Sequence, residues 1–211
     1  MLDSVIRPYI TPSLDKIAEK IGSLGMQANI LTIAALMAGL IGCFFVAIQS
    51  YFFGLVVILA SRLLHGLGGA LAARSGHSDF SVYLRSACKT VFYAAFIFFF
   101  VMTLPVHMLA GLFVLLSGTV LKTCVAGYKA VTARRGTSDA PPSFAAGLAD
   151  DTLVILFMML VCLFPSWFSA AGFLLGILFW VSAFSYVMQG WYLFGQNSVQ
   201  DVIASQDDLS A

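Results

Sequence analysis

Long apolar runs separated by short polar breaks dominate the chain, at about 29–48, 51–74, 81–104, 108–131, 147–164 and 167–195. Each comes close to the roughly 20 residues an α-helix needs to cross the hydrocarbon of a bilayer. Pro105, Pro141, Pro142 and Pro165 all fall in the breaks, where they interrupt no helix. Asn29 stands where a cap of the first helix is expected, ahead of Thr32. Before the first run, residues 13–22 (SLDKIAEKIG) place Leu14, Ile17, Ala18 and Ile21 on one face, with Asp15, Lys16, Glu19 and Lys20 opposite. That spacing predicts an amphipathic helix lying in the membrane interface, entered through a segment broken by Pro8 and Pro12. Gly172 and Gly176 form a GxxxG in the sixth run, which predicts a close helix contact inside the bundle. The end of the chain, 196–211, is polar and acidic and reads as an unstructured tail.

The expected fold class is therefore an all-α integral membrane protein. It has six transmembrane helices plus the interfacial helix, in one membrane domain over 1–195 followed by the tail. Composition agrees. Of the 211 residues, 60% are hydrophobic and 10% charged, which excludes an ordinary soluble domain, a disordered chain and a disulfide scaffold. The net charge of +1 argues against a nucleic-acid partner. Cys43, Cys88, Cys124 and Cys162 are spread singly through apolar runs, so neither a disulfide framework nor a zinc site is indicated. The first twenty residues contain no apolar stretch, so no cleaved signal peptide is expected.

Charge in the breaks sets the orientation. Arg7, Lys16, Lys20, Arg74, Lys129, Arg134 and Arg135 fall on one side, whereas Gln49–Ser50, Leu104–His107 and Pro165–Ser166 on the other carry no Lys or Arg. Positive residues stay in the cytoplasm, which puts both termini there. The expected location is the inner membrane of a bacterial cell.

Several charges lie where a bilayer makes them costly. Arg62 and His65 are in the second run, Arg85 and Lys89 in the third and Lys122 in the fourth, and Asp150 and Asp151 open the fifth. Such residues face a cavity or one another. Arg62 and His65 are spaced i, i+3 and Arg85 and Lys89 i, i+4, so each pair shares a helix face. A basic cavity open to the cytoplasm between spans two to five is expected. Snorkelling of the long stems to the headgroups is the alternative. Arg74, Arg134 and Arg135 form a second basic cluster at the cytoplasmic surface, suited to anionic headgroups.

The stretch Arg62–Phe96, RLLHGLGGALAARSGHSDFSVYLRSACKTVFYAAF, resembles the signature region of the CDP-alcohol phosphotransferases. That signature reads D-x2-D-G-x2-A-R and, a short stretch later, G-x3-D-x3-D. Asn29 and Thr32 match the N-x-x-T that opens the family's first span, and GLADDTLVILFMMLVCLFPSWF (147–168) looks like its fifth. The resemblance implies six spans with both ends inside, and a homodimer. It also implies four aspartates that hold two divalent cations against the pyrophosphate of a CDP-linked lipid.

Aligned on that signature, the four aspartates fall on His65, Gly68, Arg85 and Lys89. Gly69 and Ala72 are retained, Ala73 takes the arginine's place with Arg74 one position later, and Ser81 takes the second glycine's. Asp79 reads as a loop residue. Arg and Lys donate hydrogen bonds but offer no oxygen to a hard cation, so no metal and no cofactor is expected. A non-catalytic relative follows, a membrane binding or assembly subunit that pairs with itself or with another membrane protein and contacts membrane lipids. One alternative is a metal-independent transferase with His65 as base or nucleophile. Another is an anionic-lipid binding or transport component using a cavity of Arg62, Gly69, Ser81, Lys122, Asp150 and Asp151.

Overall fold

The computed structural model describes residues 27–75, 78–135 and 151–192. The interfacial helix expected over 13–22 and the tail over 196–211 lie outside the described residues. The described chain forms α1 (Ala28–Ala47), α2 (Tyr51–Ser75), α3 (Asp79–Thr103), α4 (Met108–Arg135), α5 (Asp151–Leu163) and α6 (Phe168–Gly190). Short 3-10 turns over Pro105–His107 and Pro165–Trp167 start α4 and α6. Five of the helices are long and apolar enough to cross a membrane. The remaining helix, α5, is apolar but has 13 described residues, and 147–150 of the expected fifth span lie outside the description.

Two local expectations are corrected. Asn29 does not cap α1: Gln27 holds the extended cap position without a side-chain bond, and Asn29 lies in the first turn. Thr32 turns its hydroxyl back onto Ala28 O at 3.0 Å. Asp79 is not a loop residue but the first of α3. Ser78 caps that helix by accepting from Ser81 N at 3.2 Å, and an acidic first-turn residue suits the positive end of the helix dipole.

The connections explain the hairpins. After α1, Gln49 takes φ 62, while Ser50 N donates to Phe45 O and Gln49 N to Val46 O. This is a Schellman ending built without glycine. Before α4 and α6, Leu104 (φ −128, ψ 81) and Phe164 (φ −130, ψ 76) adopt nearly the same backbone. In both cases the following proline excludes helical geometry from the residue before it and then starts a new turn.

Small residues let the helices meet. A Cβ on Gly54 would stand 2.8 Å from Val46 Cγ2 and 3.1 Å from Gly42 O, so α1 and α2 approach backbone to backbone. The GxxxG of α6 packs on α4, with Gly172 facing Ala110 and Val114 and Gly176 facing Phe113. α1 also packs along α3, and α5 bridges α2 to α6. Phe92, Phe96, Phe100, Phe168, Ile58 and Met158 are fully buried between these helices. Phe100 and Phe168 stack at 4.4 Å, beside His107, whose Nδ1 lies 2.6 Å from Ser169 Oγ.

Candidate functional site

α2 and α3 carry most of the charge at membrane depth. On α2, Ser61 Oγ donates to Ala35 O of α1 at 2.6 Å, which fixes the rotation of the helix. The next residue, Arg62, lays its guanidinium over the ring of Phe92, 3.7 Å from the centroid and 5.8 Å from that of Tyr93. Its Nη2 also reaches Ser61 Oγ at 3.3 Å. A guanidinium on an aromatic face is stabilised by the ring quadrupole.

On α3, Lys89 and Tyr93 share a face at i, i+4. Lys89 Nζ forms an ion pair with Asp151 Oδ2 at the start of α5, and Tyr93 OH donates to Asp151 Oδ1 at 3.4 Å. Lys122 comes in from α4: its Nζ donates to Thr90 Oγ1 at 2.8 Å and lies 5.9 Å from the Tyr93 ring centroid. Tyr93 is thus the point where Arg62, Lys122 and Asp151 converge. His65 lies within electrostatic reach of Arg85, Arg62, Lys89 and Asp151.

The glycines of α2 do different jobs. The Arg85 guanidinium lies over Gly69, in the space that a Cβ there would need. Gly68 instead faces α1, where a Cβ would stand 3.2 Å from Thr32 Oγ1. Ser81, expected in the cavity, is committed to the α3 cap, with its hydroxyl donating to Ser78 O at 2.8 Å. Asp150 lies outside the described residues, as do the side chains of Arg74 and Arg135; Arg134 is exposed near the end of α4.

Sequence reasoning missed Tyr93, Thr90 and Phe92. The i, i+4 relation to Lys89 was a signal for Tyr93. Nothing in the chain order signals that Phe92 lies under Arg62, because that contact joins two helices.

The inner membrane protein YnjF of Escherichia coli (strain K12) is 32% identical over 199 residues, which cover 90% of this chain and 96% of YnjF. The chain belongs to the family of YnjF. No protein-family model matches it. Its fold is that of the phosphatidylinositol phosphate synthase PgsA1 of Mycobacterium tuberculosis. With CDP-DAG bound, that structure superposes with a TM-score of 0.67 at 19% identity, covering 84% of this chain and 93% of that one. In complex with manganese and citrate it gives 0.69 at 18% identity, covering 84% and 88%.

The resemblance in sequence implies a pair of divalent cations, and the described residues at the aligned positions do not fit one. His65, Gly68, Arg85 and Lys89, on which the resemblance places the aspartates, are an imidazole, a glycine packed on α1, a guanidinium seated over Gly69 and an ammonium paired with Asp151. Among the described residues, no three His, Cys, Asp or Glu side chains converge. The cluster is instead three cationic donors, Arg62, Lys89 and Lys122, and one carboxylate, Asp151, around one aromatic ring, and the excess of donors suits an oxyanion.

Proposed function

We propose that this YnjF-family chain is a non-catalytic relative of the CDP-alcohol phosphotransferases, acting as a binding or assembly subunit in a bacterial inner membrane. It would work as a homodimer or within a complex with another membrane protein. The observation that carries the reading is the Lys89–Asp151 ion pair at a signature position, next to a guanidinium covering Gly69. A cation pair needs oxygen ligands at these places, and here two side chains bring positive charge of their own.

The test is CMP release from a CDP-linked lipid by the purified protein, with Mn²⁺ or Mg²⁺ and a panel of small alcohols. The expected result is no release above background and no thermal stabilisation by either metal. Metal-dependent release of CMP would overturn the reading.

A further inference from the structure

Arg62, Lys89 and Lys122 each lie ten or more residues from either end of their helices, about 15 Å along the axis. Arg62 and Lys89 are partly buried and Lys122 is exposed along α4, so each needs a partner from the protein or from what binds beside it. Among the described residues, Asp151 is the carboxylate that reaches them, and it is bound to Lys89. Asp79, the other described carboxylate, sits at the first position of α3, ten residues before Lys89.

Arg62 and Lys122 are held by neutral groups: the rings of Phe92 and Tyr93, and the hydroxyls of Ser61 and Thr90. Asp151, bound to Lys89, also lies within electrostatic reach of both, so three cations share one counter-charge among the described residues. Charge of one sign at bilayer depth is costly until a counter-charge arrives. Access exists as well, since the side chains of Lys89 and Asp151 are 31% and 49% exposed.

We infer that Arg62 and Lys122, converging on Tyr93, form a metal-free site for a phosphate group, with Lys89 released from Asp151 as a third donor. The inference rests on the non-catalytic reading above and names the ligand chemistry of that cluster. Neither Arg62 nor Lys122 occupies a signature position, so the site is built from residues outside the motif. A phosphate offers several acceptor oxygens, which suits a planar guanidinium and two ammonium groups arriving from α2, α3 and α4. No bond is made or broken.

The experiment uses the full chain in neutral detergent with EDTA. It records thermal unfolding with phosphatidylglycerol, phosphatidylcholine, inorganic phosphate or pyrophosphate added, with sodium chloride matching ionic strength. At a hundredfold excess over Kd, the phosphate ligand is expected to raise Tm by about 5 °C. Lys122→Gln should abolish that shift, Lys122→Arg should retain it, and Lys129→Gln on the same helix should leave it unchanged. A shift with phosphatidylglycerol but not with free phosphate or pyrophosphate makes the ligand a lipid headgroup. A shift with free phosphate or pyrophosphate makes it a soluble anion.

No shift with any of the four, or an equal shift in Lys122→Gln whose unliganded Tm and helical content match the parent, overturns the site. That failure leaves the non-catalytic reading intact, because the absence of metal-dependent CMP release is measured separately.

Discussion

Lys89 and Asp151 join α3 to α5 through one partly exposed ion pair, and Tyr93 adds a hydrogen bond to the same carboxylate. Removing either charge alone leaves the other at membrane depth without its counter-charge. Lys89→Ala or Asp151→Ala should therefore cost about 1–2 kcal/mol, between the values for exposed and buried pairs. The exchange Lys89→Asp with Asp151→Lys should recover part of that loss in a double-mutant cycle read by thermal unfolding. Two glycines make a second comparison at this scale. A methyl on Gly39 meets the buried Phe92 ring at 2.6 Å and Ser61 Oγ at 2.9 Å, so Gly39→Ala should cost about 1–3 kcal/mol through overpacking. The nearest atoms to a methyl on Gly69 belong to the flexible end of the Arg85 side chain. Gly69→Ala should be neutral or gain up to about 1 kcal/mol of helix propensity.

Each hairpin depends on a few backbone choices. Gln49 holds a left-handed conformation that disfavours a side chain by about 1 kcal/mol or more. Gln49→Gly should raise the melting temperature, and an unchanged or lower value would show that the turn gains as much from its glutamine. On the same side of the bundle, Ser169 Oγ bonds buried His107 across the α4 and α6 starts. Ser169→Ala leaves that imidazole nitrogen without its partner, and about 1–2 kcal/mol of destabilisation is expected. The Leu104–Pro105 and Phe164–Pro165 turns were legible as breaks because proline is unambiguous punctuation. The end of α4 was not. The apolar pattern stops near residue 131, whereas the helix runs to Arg135, because helical hydrogen bonding continues through polar residues that leave the membrane.

Across the whole molecule, the positive-inside asymmetry predicts that the α1–α2, α3–α4 and α5–α6 connections face away from the cytoplasm. Ser50→Cys and Ser166→Cys should react with an impermeant maleimide added outside intact inner-membrane spheroplasts. Cys43, Cys88 and Cys162, all buried, should not. Labelling from the cytoplasmic side only would invert the topology. The helices form two packed groups, α1 with α2 and α3, and α4 with α6, bridged by α5. The charged cluster lies where α2, α3, α4 and α5 contribute side chains, so it depends on both groups being docked.

By itself, the sequence determined that the chain is helical and membrane-embedded, where proline breaks its apolar runs, and that Arg62, Arg85, Lys89 and Lys122 stand within those runs. Hydropathy, proline and charge are local properties, and a bilayer leaves few ways to satisfy a backbone. The partners of those cations were decided only by the tertiary structure. Asp151 is 62 residues from Lys89, and Thr90 is 32 from Lys122. The spacing along each helix fixes which face a side chain lies on. Helix rotation, held by contacts such as Ser61 to Ala35 and the glycine crossings of α1 with α2, decides what that face meets.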